Sequence, residues 1–306
     1  MNTSLILLSI PFEETDFQHV AIYQMIDSRK RSLAAYEKSI SNDGSYESLH
    51  PEMFLPDKIL WLDGVEQSSL MGDAAYHEAL VHPAMIAHPN PKRAAIIGGG
   101  EGATLRELLK HKSLENAVMV EIDEDLVGLC EEYLPEWNSC DDIEGSDADS
   151  CFDDSRSTVV FQDAFKWFID RFGRDATIVE DKFDVIIMDA LDPDKMVEIV
   201  GNLYKDDTFT SSIFNALSED GVVSLTVWVC DYTDSTVYYL ICIFVSSQFV
   251  VQLGQTDSLS DPAPETGSGK DKANMMQALK QVGFQSMHVY DEVSLHLARS
   301  ETPVQY

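Results

Sequence analysis

Basic residues are scarce in this chain of 306 residues, which has 21 Lys and Arg against 53 Asp and Glu. The resulting formal net charge of −32 repels phosphate groups, which disfavours DNA and RNA as partners. A negative field of this strength concentrates positively charged small molecules, which is one interpretation of the imbalance. The alternative is that the charge serves only to keep the protein in solution.

Cysteine patterns that indicate metal binding are also absent. No CxxC pair and no Cys/His metal spacing occurs among the five cysteines, which are Cys130, Cys140, Cys151, Cys230 and Cys242. We therefore expect no metal site. Because the number is odd and no clear signal peptide precedes them, the cysteines favour a reducing compartment.

No apolar run reaches the length of a membrane span. Residues 237–245 are apolar but far shorter than the roughly 20 residues that a helix needs to cross a bilayer. Residues 5–10 are apolar too, but they lack the basic lead and the small-residue cleavage site of a signal peptide, so they predict a strand. Together these absences predict a cytoplasmic protein that does not bind membranes.

Two domains are predicted from the pattern of apolar residues. Residues 1–72 predict a small β domain, with strands at 19–23, 58–62 and 65–69 and a polar hairpin insertion over 28–57. Residues 73–306 predict an α/β domain that opens with a helix over 74–86, which Asp73 is placed to cap. Strands then alternate with amphipathic helices, the pattern of βαβ units in a parallel sheet. The strands are 93–97, 117–121, 158–162 and 183–189, the helices are 104–111, 124–133, 163–172 and 206–217, and 138–156 is a polar loop.

The most informative segment is the glycine-rich turn after the first strand of the second domain. Residues 96–104 read Ile-Ile-Gly-Gly-Gly-Glu-Gly-Ala-Thr, an apolar strand end followed by a turn and a helix start. Glycines at such a turn let the backbone approach a ligand closely. Glu121 follows one strand later, at a sequence separation that is typical of an acidic residue that binds ribose hydroxyls. We therefore expect an adenosine-type ligand at this edge of the sheet.

Three acidic residues and one glycine mark the ends of four successive strands, at Gly98, Glu121, Asp163 and Asp189. Since the carboxyl ends of parallel strands meet at one edge of a sheet, we expect these residues to converge. Asp192 follows Asp189 by one short turn, and two carboxylates this close can hold an ammonium group. A partly buried carboxylate is also suited to act as a general base. For Asp192 alone, the alternative is a turn cap before the next proline.

These motifs, taken in order, resemble the polyamine synthase family of spermidine, spermine and thermospermine synthases. The matching segments are 76–83 (Tyr-His-Glu-Ala-Leu-Val-His-Pro), 98–107, 120–123 and 189–193, and the likeness runs from about 17 to 292 with one break. The resemblance implies a small β domain before a Rossmann-like, methyltransferase-type parallel sheet. It also implies transfer of an aminopropyl group from decarboxylated S-adenosylmethionine to an amine, which leaves methylthioadenosine and requires no cofactor besides this co-substrate.

The resemblance further implies a role for each matched residue. Asp189 would be the catalytic base that takes a proton from the acceptor amine, and Tyr76 and Asp192 would line the acceptor channel. Glu101 would hold the ammonium group of the donor, and Glu121 would bind its ribose. The remaining donor-binding residues implied in this way are Gln18, His77, Gly98, Gly99, Gly100, Asp163 and Ala164. Two of these have a structural alternative, since His77 would also suit a buried core position and Gln18 an ordinary strand position.

The acceptor and the reaction class keep open alternatives. Glu101, where many spermidine synthases carry Asp, and the pair Ala190-Leu191 are similar to thermospermine synthases, which favours spermidine over putrescine as the acceptor. A methyltransferase that uses S-adenosylmethionine itself is an alternative, because the glycine turn and Glu121 suit either nucleoside. An inactive nucleoside-binding homologue is another. Members of the family are usually dimers or larger, so the resemblance implies a homodimer or homotetramer.

The likeness breaks at residues 223–248, where the family would continue directly with a segment like 249–255. This anomalous insertion contains two strand candidates, 222–229 and 237–251, which we expect to compete for one position in the sheet. Codons for Val223-Ser224 and for Gln248 are compatible with splice signals, so we hypothesise that the segment is a translated intron. The Val-Ser pair recurs at 293–294, before an atypical tail over 293–306.

Overall fold

The computed structural model describes residues 5–26, 38, 56–176, 182–190, 207–231, 235–244, 281 and 286–290. Its first part is a four-stranded antiparallel sheet in the order β1-β2-β3-β4. The strands are β1 (Leu5–Glu14), β2 (His19–Ile26), β3 (Asp57–Leu62) and β4 (Val65–Ser69), which confirms the strands predicted for this region. Asp63 and Gly64, both with positive φ, make the turn between β3 and β4. Most of the predicted hairpin insertion, 28–57, lies outside the described residues.

The second sheet has seven described strands in the order β11-β10-β9-β8-β5-β6-β7. Its parallel strands are β5 (Arg93–Gly98), β6 (Asn116–Glu121), β7 (Ser157–Phe161), β8 (Phe183–Asp189) and β9 (Leu217–Asp231). At one edge, β10 (Ser235–Phe244) and β11 (Ser286–Tyr290) pair in the antiparallel sense. The central strands β5, β6 and β8 are almost continuously apolar and buried, as expected where helices cover both faces. The predicted α/β fold, a Rossmann-like parallel sheet after a small β sheet, is confirmed.

Each helix predicted for the second domain is also confirmed, within about two residues at either end. The described α-helices are α1 (Asp73–Ala87), α2 (Ala103–Leu109), α3 (Glu124–Tyr133), α4 (Pro135–Asn138), α5 (Ala164–Phe172) and α6 (Asp207–Ala216). Asp123 caps α3 by accepting a hydrogen bond from the backbone N–H of Leu126 at 3.1 Å, and Asp163 caps α5 in the same way. None of the described helices has the length and apolar character needed to cross a membrane.

The start of α1 corrects one prediction. Gly72, not Asp73, occupies the N-cap position, and it makes no side-chain cap. Asp73 is the first residue of the helix, and its side chain is buried against the guanidinium of Arg106, with Nη2 and Oδ2 3.1 Å apart. The carboxylate is therefore occupied by an ion pair with α2, and it is not available to the free N–H groups of its own helix.

The region of the anomalous insertion corrects a second prediction. Its two strand candidates do not compete for one position, because β9 continues through residue 231 and β10 pairs beside it. Val223 is buried within the core of the large sheet, and the hydroxyl of Ser224 donates to the main-chain oxygen of Leu80 in α1 at 2.7 Å. An antiparallel hairpin thus gives each strand its own neighbour. Residues 245–248 and the tail over 293–306 lie outside the described residues.

The polar loop over 138–156 contains a short 3₁₀ turn, Cys151–Asp153, and a disulfide that the cysteine spacing did not predict. Cys140 and Cys151 are joined, with their Cα atoms 5.0 Å apart. An antiparallel bridge between Ser139 and Ser150 brings the two cysteines together, which explains the pairing. We expected a reducing compartment because the number of cysteines is odd. Cys140 and Cys151 do not support that expectation, because they form a disulfide.

An aromatic cluster closes the core at the amino-terminal end of β8. Phe183 is fully buried, and its ring centroid lies 6.4 Å from that of Trp167, 6.2 Å from Phe168 and 6.0 Å from Phe172, all three on α5. The amphipathic pattern of α5 places these rings on its inner face. The cluster therefore holds α5 and β8 together below the end of the sheet that carries the polar residues.

We predict that Phe183→Ala lowers the free energy of unfolding by about 3–5 kcal/mol, because it leaves a cavity among three aromatic rings. Urea unfolding followed by circular dichroism measures the change. Phe161→Ala is the matched control, since Phe161 lies on β7 of the same sheet with 40% of its surface exposed. It should cost less than about 1 kcal/mol. Equal losses in the two variants would contradict this account of the core.

Candidate active site

The large sheet reverses its strand order between β5 and β8. From β5 the chain passes outward through β6 and β7, then returns to the other side of β5 with β8. Open α/β sheets bind ligands beyond the carboxyl ends of the strands at such a reversal. Gly98 and Asp189, the last residues of β5 and β8, are register partners at this point. The crevice of the fold therefore lies where the glycine turn and the predicted base meet.

A cavity of about 300 Å³ occupies this crevice. Most of the predicted site residues line it, namely Gln18, Tyr76, Gly98, Gly99, Gly100, Glu101, Glu121, Asp163, Ala164 and Asp189. His77 is not on the cavity wall but is buried behind Glu101, and Asp192 lies outside the described residues. The structure thus brings together residues that are up to 171 positions apart in the chain, from 18 to 189.

The glycine turn packs so tightly that side chains are excluded. Gly98 has a φ of 82°, and a Cβ atom there would lie 2.6 Å from the main-chain oxygen of Asp189. The backbone N–H of Gly99 donates to that same oxygen at 3.1 Å. A Cβ atom on Gly100 would lie 2.8 Å from the side chain of Leu126. Gly98 is therefore needed for the turn to sit against β8, while a side chain at Gly100 would require Leu126 to move.

Asp189 is held by hydroxyl groups from two helices. Tyr76 Oη donates to Oδ1 at 3.3 Å, and Thr104 Oγ1 donates to Oδ2 at 2.5 Å. Burial raises the pKa of Asp189 to about 6, and the negative charge of Glu101 adds to the rise, while His77 and the two hydroxyls oppose it. A carboxylate with a pKa nearer neutrality takes up a proton more readily than an ordinary aspartate does. Asp189 therefore has the surroundings of a general base.

The side chain of Glu101, which lies within the glycine turn, is a second carboxylate on the cavity wall. Its Oε1 lies 3.0 Å from Nε2 of His77, whose ring is 1% exposed. Burial alone would lower the pKa of His77, but its hydrogen bonds to Asp73 and Glu101 raise that pKa well above the ordinary value. The charged imidazolium is therefore favoured, and it faces Glu101 from behind.

Glu121 ends β6 with its side chain folded over the next residues. Its Oε1 accepts hydrogen bonds from the backbone N–H groups of Ile122 at 2.7 Å and Asp123 at 3.0 Å. Burial raises the pKa of Glu121 to about 7, against the lowering effect of these two bonds. Gln18 reaches the same place from the first sheet, where its Nε2 donates to Asp123 Oδ2 at 2.9 Å. Glu121 and Gln18, which are both predicted to contact the aminopropyl donor, are therefore linked through Asp123.

Several residues of the site were missed by reasoning from the sequence. The β3–β4 hairpin contributes Leu60, Leu62, Asp63 and Gln67 to the cavity wall, and α2 contributes the hydroxyl of Thr104 to Asp189. Thr104 was visible in the motif as a helix start, but nothing in the sequence showed that its side chain points towards β8. The hairpin residues gave no signal, because only the packing of the first sheet on the second brings them near the glycine turn.

Two groups of side chains in the described part of the chain bring three possible metal ligands within 4.8 Å of one another. One is His77, Glu101 and Asp189, and the other is Glu78, His82 and Glu107. In the first group, Nε2 of His77 already bonds Glu101. In the second, Oε1 of Glu107 is occupied by Arg106 at 2.9 Å and by Lys110 at 2.7 Å. The other oxygen of Glu107, Oε2, lies 3.3 Å from Nε2 of His82 within the same group.

Comparison with known proteins agrees with this geometry. The family model of the spermine/spermidine synthase domain matches residues 73–242, more than half of the chain. The chain belongs to the spermine/spermidine synthase family. The match includes the glycine turn, Glu121, Asp189 and most of the β9–β10 hairpin.

Individual relatives point the same way. The chain is 49% identical over 136 residues to polyamine aminopropyltransferase 1 of Hyperthermus butylicus, which covers 44% of this chain and 41% of that protein. It is 45% identical over 166 residues to the polyamine aminopropyltransferase of Pyrobaculum calidifontis, covering 54% and 52% respectively. The chain thus spans about half the length of the curated relatives it matches. A crystal structure of spermidine synthase in complex with the transition state analogue AdoDATO superposes with a TM-score of 0.54 and 28% identity, covering 75% of this chain and 61% of that one.

We predict that Gly98→Ala disrupts the site, because the added Cβ would overlap the main chain of Asp189 and Ala190. The variant should unfold at a lower temperature, because the turn can no longer sit against β8. Gly145→Ala is the matched control, since Gly145 also has a positive φ, of 89°, but no atom within 4 Å of its Cβ position. It should cost only about 1 kcal/mol of conformational strain. A melting temperature of Gly98→Ala as high as that of Gly145→Ala would show that the tight contact is not required.

Proposed function

We propose that this protein is an aminopropyltransferase that moves the aminopropyl group of decarboxylated S-adenosylmethionine to a polyamine. The observation that supports this most strongly is the placement of Asp189. Its carboxylate lines the cavity at the strand reversal, between the hydroxyls of Tyr76 and Thr104 and close to a second carboxylate, Glu101. Negative groups at this density suit a reaction in which both substrates are cations.

The chemistry asks for alignment and for one proton transfer. The lone pair of the acceptor amine forms a bond to the aminopropyl carbon next to sulfur, and the carbon–sulfur bond breaks. Its electron pair stays on sulfur, which becomes the neutral thioether of methylthioadenosine. A sulfonium is a good leaving group, so the main task is to free an amine whose pKa is about 10 and to hold it in line. Asp189 accepts the proton that the attacking nitrogen loses.

The donor is oriented by the other carboxylates of the cavity. Glu121 accepts hydrogen bonds from the ribose hydroxyls, Asp163 and Ala164 adjoin the adenine, and the glycine turn lets the sulfur approach Asp189. Glu101 pairs with the donor ammonium. A methyltransferase substrate would bring its own carboxylate to this position, where Glu101 and Asp189 would repel it. This charge pattern favours the decarboxylated donor over S-adenosylmethionine.

The acceptor approaches from the side of Tyr76 and Asp189. Glu101 in place of Asp favours spermidine as the acceptor, with putrescine as the alternative, and Asp192 is proposed to hold a second amine of either. The chain matches only about half the length of its curated relatives, so the activity of the full chain is part of this proposal. We further propose that the protein acts as a homodimer or homotetramer.

We predict that purified protein incubated with decarboxylated S-adenosylmethionine and spermidine or putrescine forms methylthioadenosine and a longer polyamine, identified by chromatography. Asp189→Asn should lower turnover at least about 100-fold while the donor still binds, because the amide cannot take up a proton. Asp142→Asn makes the same change at an exposed loop position and should leave turnover unchanged. Turnover with S-adenosylmethionine and none with the decarboxylated donor would favour a methyltransferase. Binding of methylthioadenosine without turnover would favour an inactive homologue.

We also predict that binding of methylthioadenosine depends on pH through Glu121. Its pKa is raised to about 7, so the carboxylate that accepts the ribose hydroxyls is lost as the pH falls through this value. The dissociation constant should therefore be about tenfold higher at pH 6 than at pH 8, measured by calorimetry. Glu121→Gln should bind weakly at both pH values. A wild-type affinity that does not change with pH would contradict this role.

A further inference from the structure

A buried row of alternating charges runs behind the cavity wall and ends at Glu101. It includes Arg106 of α2, which also pairs with Glu107 at 2.9 Å, and passes through Asp73 and His77 of α1. These three members of the row, Arg106, Asp73 and His77, are 9%, 5% and 1% exposed. Arg106 Nη2 lies 3.1 Å from Asp73 Oδ2, and the next members follow at hydrogen-bond distance. Because the first three members are sealed from solvent, each has its charge balanced by its neighbours and not by water.

The protonation of His77 can be read from its partners. Nδ1 lies 2.8 Å from the main-chain oxygen of Asp73 and 2.8 Å from its carboxylate Oδ1. Both oxygens only accept hydrogen bonds, so Nδ1 carries a proton. Nε2 lies 3.0 Å from Oε1 of Glu101, and an ionised carboxylate also only accepts. Both ring nitrogens therefore donate, and the ring is an imidazolium held between two carboxylates.

The far end of the row is fixed independently of the cavity. The guanidinium of Arg106 also donates through Nη1 to the main-chain oxygens of Glu136 at 2.9 Å and Trp137 at 3.0 Å. These bonds place Arg106 against α4, which in turn fixes Asp73. Because Arg106 is fixed in this way, its contact also fixes Asp73. Asp73 in turn fixes His77, which lies four residues further along on the same face of α1.

We infer that Arg106, Asp73 and His77 are positioning residues that hold the side chain of Glu101 in place and aim its carboxylate at the ammonium group of the donor. This rests on the proposed function. Without the imidazolium, the carboxylate of Glu101 would have no positive partner on its buried side, while Asp189, with a carboxylate oxygen within 4.8 Å, would repel it. A displaced Glu101 cannot pair with a cation at the same point.

Asp73→Asn tests the inference, because the amide keeps the shape of the side chain but removes the charge that stabilises the imidazolium. Binding is measured by calorimetry with two ligands, decarboxylated S-adenosylmethionine, which has the ammonium group, and methylthioadenosine, which lacks it. We expect the donor to bind Asp73→Asn at least about tenfold more weakly than wild type, with methylthioadenosine changed less than about twofold. Asp142→Asn, with the same chemical change at an exposed loop position, should keep both affinities.

His77→Gln provides a second test if Asp73→Asn does not fold, as judged by its thermal unfolding. The glutamine amide can donate to Glu101 but has no charge, so the same selective loss of donor binding is expected. Unchanged donor binding in the folded variants would overturn the inference, and so would an equal loss for both ligands, which would indicate only a general structural role. If the wild-type protein binds methylthioadenosine but not the donor, the proposed function itself fails, and this inference fails with it.

Discussion

The strands β5 and β8 meet at a point where no side chain separates them. Gly98 brings its Cα so close to the main chain of Asp189 that even a methyl group would overlap it, and Gly99 donates a hydrogen bond to the same carbonyl. Three functional elements follow from this contact within a few residues. Asp189, the proposed base, is at the tip of β8, Glu101 is on the turn after β5, and Thr104 lies in the first turn of α2. Their relative positions are therefore set by main-chain geometry, which is stiffer than any arrangement of side chains.

The crevice also brings the carboxylates of Glu101, Glu121 and Asp189 to one cavity wall. Asp189 and Glu121 both have a raised pKa, because burial disfavours the charged form and the negative charge of Glu101 adds to the rise. The imidazolium of His77 lies behind Glu101, on the side away from the cavity. The described residues that line the cavity include no positively charged side chain. The described lining of the cavity is therefore suited to a positively charged molecule.

Much of this could be predicted from the sequence, because the short apolar strands and amphipathic helices of 93–189 are strongly periodic. The same periodicity put Gly98, Glu121, Asp163 and Asp189 at strand ends, and a parallel sheet gathers strand ends at one edge. Details that depend on packing were not predictable. The inward turn of Asp73 depends on Arg106, which is 33 residues away, and the position of β10 depends on β9 occupying the place beside β8. The Cys140–Cys151 pair depends on a single bridge between flanking serines.

The side chain of Asp123 connects the first sheet to the second. One of its carboxylate oxygens caps α3, the other accepts from Thr15 at 2.7 Å and from Gln18, and its backbone N–H holds Glu121. The β1–β2 turn and the side of the crevice next to Glu121 thus share one buried carboxylate, which is 1% exposed. Removal of the hydroxyl and amide donors of the first sheet would leave this carboxylate buried without them. The two sheets of this chain therefore depend on each other at this point, although they look separable in outline.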